Sequence, residues 1–336
     1  MPFGPHHALL AAAFLCAAPA ALANEQTVDT ATPSAATGAP SAWVTLGTVG
    51  GPQPSPDRNE PANLLLVGNE AHLVDVGDGA ATSMVRTGVR HSDLRSIWIS
   101  HIHFDHIGGL FGVLGLRLQT RNENPLTIYG PPGTQEIVDG LLAAMQPSSR
   151  SGFGVPGEVS IDPADSIIVQ ELDHGDVVNL GSDTVRVVNN THYSFETGSQ
   201  EEAYYRSLSF RFNLADRSIV YTGDTGPSEA VVELAQGADM LVTEVIDLDR
   251  AMRRIRTNAE GMPSPALEQM RQHLSTHHVT TDDIGKMAQE ANVGQVVVTH
   301  FAGGTASSAA ELARYLAEIK VHYDGPVQLA NDMHQF

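Results

Sequence analysis

The chain has 336 residues, 42% of them hydrophobic, which is enough for one large domain or two ordinary ones and excludes wholesale disorder. Lys+Arg number 19 against Asp+Glu 39, a net charge of −20. That balance disfavours a general polyanion binder, because phosphate-backbone affinity rests on Lys and Arg, but it does not disfavour a small anion held by a metal.

In chain order, residues 8–23 form an apolar run, ALLAAAFLCAAPAALA, too short to span a membrane and ending in the A-x-A-like Ala21-Leu22-Ala23. Residues 1–23 therefore read as a secretory signal peptide, although no Lys or Arg precedes the run. Its cleavage would remove Cys16, the single cysteine, leaving no disulfide or thiolate chemistry. Residues 24–41 are rich in Ala, Thr, Pro and Ser and read as a flexible linker. Residues 42–336 are expected to form the domain, in a periplasmic or secreted protein with no membrane contact once mature.

Order begins near Trp43. Short apolar strands follow: WVTLGTV, ANLLLVG, HLVDVG, SIWIS, LTIYG, DSIIVQEL, DTVRVVN, SLSFRFNL, RSIVYTG, DMLVTEV and QVVVTHF. Helices are predicted over 133–145 and 227–236, after the capping box Thr280-x-x-Asp283, and after Ser308-x-x-Glu311. Many strands with several helices and no internal linker indicate a single α/β domain built on a sandwich. Residues 247–276 interrupt this pattern as an insertion-like segment holding Arg250, Arg253, Arg254, Arg256 and Arg271. These arginines read as a solvated helical face, or as a lure for an anionic ester. Loop 146–158, with Phe153, reads as a surface loop or a lid.

Residues 100–109, SHIHFDHIGG, place His101, His103, Asp105 and His106 within six positions. Imidazole and carboxylate are the usual zinc ligands where thiolate is absent. Alternation along an extended strand puts His101, His103 and Asp105 on one face, and the turn at Gly108-Gly109 carries His106 back toward it. Four ligands exceed what one catalytic zinc accepts, so the run suits two adjacent metals. His192, Asp224 and His300 each end a later apolar run, where α/β folds place functional groups.

With these motifs the sequence resembles the metallo-β-lactamase superfamily of hydrolases. LVDVGDG at 73–79, SHIHFDHIGG at 100–109, NNTHYS at 189–194, YTGDTG at 221–226 and VVTHF at 297–301 occur in the family's order. The resemblance implies an αββα sandwich with a dinuclear site at one edge. It implies that His101, His103 and His192 hold one metal, that Asp105, His106 and His300 hold the other, and that Asp224 bridges them. Asp75 matches the family's buried aspartate beneath the metal loop. Within the superfamily, the glycine-rich start at 46–66, LVTEVID at 241–247 and the 278–300 module are most similar to the ribonuclease Z and arylsulfatase-like branch. That similarity assigns catalytic roles to Asp105, Glu244 and His278, with His277 as the alternative to His278. Two departures stand out. No cysteine is available at the Asp224 position, and Phe104 stands where ribonuclease Z has glycine.

The resemblance implies two Zn2+ per chain, with Mn or Fe also compatible, and attack by a metal-bridging hydroxide on a phosphodiester or sulfate ester. The alternative is a carbon-ester, lactone or β-lactam hydrolase; a non-catalytic metal-binding scaffold ranks third. The expected partner is a small anionic ester. Charge and export together predict no nucleic acid, and a homodimer is compatible with the sequence.

Overall fold

The computed structural model describes residues 40–51, 54–258, 261–304 and 308–336. The expected leader and all of the expected linker except its last two residues lie outside them. Ser41 already docks onto the domain, its N–H and Oγ both donating to Asp216 Oδ2 at 2.8 and 3.0 Å.

The first half of the chain supplies β1 (Ala42–Gly47), β2 (Ala62–Val67), β3 (Glu70–Val76), β4 (Leu94–Trp98), β5 (Leu126–Gly130) and β6 (Ile167–Glu171). Its helices are α1 (Ala80–Arg86), α2 (Phe104–Ile107), α3 (Leu110–Gln119) and α4 (Thr134–Ser151). The second half supplies β7 (Val177–Leu180), β8 (Asp183–Asn189), β9 (Leu208–Asn213), β10 (Ser218–Tyr221), β11 (Met240–Ile246), β12 (Val296–Ala302) and β13 (Val327–Leu329). Its helices are α5 (Gln200–Tyr204), α6 (Glu229–Ala235), α7 (Leu248–Asn258), α8 (Ser264–His277), α9 (Thr281–Glu290) and α10 (Ala309–Ile319). The short β14 (His334–Gln335) returns to pair with β1. Two seven-stranded sheets result, ordered β14-β1-β2-β3-β4-β5-β6 and β13-β12-β11-β10-β9-β8-β7.

The layering follows from which faces are apolar. Trp43, Leu65, Val74 and Trp98 from the first sheet meet Val187, Phe210, Phe212 and Tyr221 from the second in one buried cluster. The rings interlock, Trp98 lying edge-on to Phe210 and Phe212 at 5.6 and 5.5 Å. The outer faces bury a second cluster under α1, α3 and α4 and a third under α6, α9 and α10. This is the αββα sandwich.

Sequence and structure differ in places. The insertion-like residues 247–276 form most of a helical hairpin, α7 and α8. Helix α4 continues to Ser151 through Pro147, six residues beyond its predicted end at 145. Both predicted N-caps hold: Thr280 and Asp283 make a reciprocal capping box, and Ser308 accepts from the Glu311 N–H.

Two strand irregularities position the site. In the β2–β3 ladder, Ala62 pairs with Val76 and Asn63 with Val74, which leaves Asp75 as an extra, bulged residue at φ 56°. In the β11–β12 ladder, Thr243 pairs with Val298 and Val245 with Phe301, leaving one extra residue in β12, where His300 sits at φ 40°. Bulges re-aim side chains, and left-handed backbone in a non-glycine residue is strained. The sheets are tied together at this same edge: Leu208 N–H donates to Ser100 O at 2.9 Å, and Val49 bridges Phe301.

Candidate metal centre

The ends of β3, β4, β8, β10, β11 and β12 converge on the edge where the sheets are tied. From them project the buried Asp75, His192, Asp224, Glu244 and His300, and the 101–106 loop, in which His101 and His106 are buried, Asp105 is half-buried, and His103 and Phe104 are exposed. The strand-face argument for the loop needs correction. β4 stops at Trp98, and Asp105 and His106 lie on the single helical turn α2. The turn, not strand alternation, brings Asp105 and His106 to the same space.

His101 Nε2 lies 3.0 Å from His103 Nδ1, and His192 Nε2 lies 3.1 Å from the same atom. Asp105, His106 and His300 form a second group. Asp224 reaches both, with Oδ1 at 3.1 Å from His300 Nε2 and 3.4 Å from His106 Nε2, and Oδ2 at 4.0 Å from His192 Nε2. A metal fits these donors on an observation independent of their identity. His106 Nε2, His300 Nε2 and Asp224 Oδ1 are buried without a hydrogen-bond partner among the described residues, a costly state that an ion would relieve.

Each donor is oriented from behind. Asp75 accepts from Ser100 N–H at 2.7 Å, Ser100 Oγ at 2.8 Å, Tyr221 OH at 2.7 Å and His106 Nδ1 at 2.8 Å, leaving His106 Nε2 aimed at the centre. His192 Nδ1 donates to the His277 carbonyl at 3.0 Å. Gly51 N–H donates to Asp105 Oδ2 at 2.9 Å. Gly50 and Gly51 are required sterically, since a Cβ on either would come within 2.5 Å of His300 or Asp105. Such outer partners fix tautomer and ring orientation.

The two halves of the cradle differ electrostatically. Burial, with His106 and His192 nearby, drives His101 well below its ordinary value, and burial lowers His192 to about 3. These rings are neutral and ready to ligate. Burial would lower His106 too, but the Asp224, Asp105 and Asp75 carboxylates outweigh it and raise it well above its ordinary value. A metal held there would displace that proton.

Of the adjacent pair, His278 is the one that faces Glu244, donating from Nδ1 to Oε2 at 2.7 Å, while Oε1 accepts the Thr225 N–H at 2.6 Å. Burial opposes protonation of His278, but Glu244 prevails and raises it to about 9. His277 ends α8 and turns its side chain to His273. Sequence reasoning passed over Tyr221 and Tyr193. The first lay unnoticed within YTGDTG; the second lies in NNTHYS, and its ring packs on His103 and His192 at 5.3 Å each.

The centre opens into a cavity of about 610 Å³. Its floor includes His103, Asp105, His192, Asp224, His278 and His300, and its other wall is the α7–α8 hairpin. Arg254 lines that wall and donates to Gly303 O at 3.0 Å. Arg250 pairs instead with Glu311 and Arg271 with Asp249, and Arg253 and Arg256 are exposed. Phe153 lines a different cavity, beside Arg121 and Glu158, so the 146–158 loop is not a lid on this centre.

A family model described as "Anti-Pycsar protein Apyc1" matches residues 45–300. Ribonuclease Z of Mycobacterium marinum is 30% identical over 295 residues, 87% of this chain and 97% of that one. The chain belongs to that family, and is a ribonuclease Z-like metallo-hydrolase of the metallo-β-lactamase superfamily. Solved structures share its fold, two of them as follows. YhfI of Bacillus subtilis, a metallo-β-lactamase fold protein, superposes with TM-score 0.62 at 17% identity, covering 89% of this chain and 99% of that one. The short form of human tRNase Z gives TM-score 0.59 at 20% identity, covering 88% and 98%.

One expectation falls here. Relatives named Ribonuclease Z overturn the exclusion of nucleic acid from the partners of this ribonuclease Z-like hydrolase. Net charge governs long-range steering and not the local field of a site, so −20 overall does not decide the substrate.

Proposed function

We propose that this metallo-hydrolase is a dinuclear phosphodiesterase, with zinc the favoured metal. The observation that carries the proposal is the convergence of His101, His103, Asp105, His106, His192, Asp224 and His300 into adjoining donor groups, five of them lining one cavity floor, beside the His278–Glu244 pair. Two divalent ions held there would supply Lewis acidity and an activated water. The chain's own residues do the rest. Asp75 and the His277 carbonyl keep donor nitrogens aimed inward, and Asp105, tied to Gly51, holds the α2 side of the floor. Glu244 fixes Nδ1 of His278, so that Nε2 is left for the cavity and can pass a proton to the departing oxygen.

Phosphodiesters and sulfate esters both present tetrahedral anionic oxygens, and carboxylic esters and lactones are the further alternative. The deciding assay counts bound metals by elemental analysis and compares turnover of bis-p-nitrophenyl phosphate, p-nitrophenyl sulfate and a simple lactone, before and after metal stripping. Near two metals per chain with metal-dependent diester cleavage is the expected result. Turnover of only the sulfate or only the lactone reassigns the substrate; rates indifferent to stripping remove the metal from the chemistry. Export belongs to the proposal as well, resting on the apolar run at 8–23. N-terminal sequencing of protein recovered outside the cytoplasm, beginning near residue 24, is the expected outcome.

A further inference from the structure

We propose that Phe104 and the apolar face of the α7–α8 hairpin form a slot for a planar aromatic substituent of the ester, making Phe104 a specificity-determining residue. The inference rests on the phosphodiesterase reading and adds to it the chemistry of the group attached to phosphorus.

Phe104 stands between His103 and Asp105, yet its ring is 75% exposed. Single exposed aromatics are common on proteins and mean little by themselves. Position gives this one its meaning, because it lines the same cavity as the metal donors. The same cavity is lined by Ile255 of α7, Met262, and Met270 and Leu274 of α8. Met262 and Met270 join none of the buried core clusters among the described residues, so their side chains are spent on the cavity wall. The ring's seat is built in. The Gly108 N–H donates to the Phe104 carbonyl at 2.7 Å, and a Cβ at Gly108 would lie 3.1 Å from the ring's Cε1. Gly108 therefore leaves room for the ring to lie across its own helical turn.

The cavity is thus divided by polarity. A phosphate on the floor meets imidazoles and carboxylates, and a group attached to it rises between a phenyl ring and two thioethers. At about 610 Å³ the space suits a ligand with one or two rings. Methionine adapts its shape to aromatic faces, and phenylalanine offers a stacking partner to any planar ring, nucleobase or aryl.

The test uses holoenzyme and two non-hydrolysable anions, phenylphosphonate and methylphosphonate, as competitive inhibitors. They carry the same charged head and differ only in the ring. Wild type is expected to prefer phenylphosphonate by about 10-fold or more, the range of a single stacking contact. F104A should reduce that ratio about 10-fold, with bound metal unchanged. Met270→Ala, on the far wall and away from the metal loop, should reduce it in the same direction and covers the case in which F104A loses metal. A ratio unchanged in both variants, or no preference in wild type, overturns the slot. If sedimentation shows that F104A only dissociates an oligomer while the ratio stays fixed, the ring is a contact with a second copy and the proposal falls. Failure of the phosphodiesterase reading is separable, since it would appear as absent diester turnover with the phenylphosphonate preference intact.

Discussion

The metal cradle and the helical hairpin above it face one cavity but are held by different forces. The cradle sits on strand ends whose side chains are buried and hydrogen-bonded from behind, Asp75 alone accepting four such bonds. The hairpin touches the body mainly through a small cluster of Ile246, Ala251, Ala302, Leu248 and Leu274, and much of α8 is exposed. Chemistry needs fixed donors, whereas substrate choice needs a surface that can vary without unfolding the protein. Stability and catalysis should therefore fail together in the cradle and separately in the hairpin.

The largest effect is expected from Asp224→Ala, which removes the carboxylate that reaches both donor groups. Metal content should fall and diester turnover should drop by more than the roughly 10–100-fold typical of losing an outer partner. Full activity at full metal content would break the assignment of Asp224 as the shared donor. Asp75→Asn should cost about 10–100-fold in metal affinity. It should also lower stability by about 1–3 kcal/mol, because an amide cannot accept all four bonds; a chelator competition and a thermal melt check both. If melting shifted while affinity did not, Asp75 would be structural only.

A pH effect comes next. Burial and nearby Arg95 lower His72 of β3 to about 4, against an ordinary 6.5. The fold favours its neutral form, so this contribution is fully present above pH 6.5 and is lost as pH falls from there toward 4. The loss should be on the order of 3 kcal/mol. His72→Gln should flatten that part of a urea-denaturation profile measured on metal-free protein; an unchanged slope would assign the acid sensitivity elsewhere. The smallest effect on stability belongs to Met270→Ala in the hairpin, within about 1 kcal/mol. By contrast, Phe210→Ala in the inter-sheet core should cost about 3–5 kcal/mol. Comparable losses at both positions would erase the distinction between the sandwich that carries the cradle and the hairpin.

Much of this was readable in the sequence because the relevant physics is local. SHIHFDHIGG announces a cluster of imidazole and carboxylate donors by residue type and spacing. Alternating apolar runs mark strands, and Thr280 with Asp283 marks a helix start through its own side-chain hydrogen bonds. Strand-end positions for His192, Asp224 and His300 were legible for the same reason. Other features depend on residues distant in the chain. That Asp75 and His300 are bulged and left-handed follows from register against β2 and β11, which no window of sequence contains. That Tyr221 supports Asp75 across 146 residues follows from the meeting of two sheets. The segment 247–276 looked like an insertion because only a small part of its surface packs on the body, through Ala251, Leu248 and Leu274 against Ile246 and Ala302. The identity of the clustered donors was thus set by side-chain chemistry within the sequence itself. Ligand geometry, and the apolar wall opposite Phe104, were decided only when long-range packing brought strand ends and hairpin together.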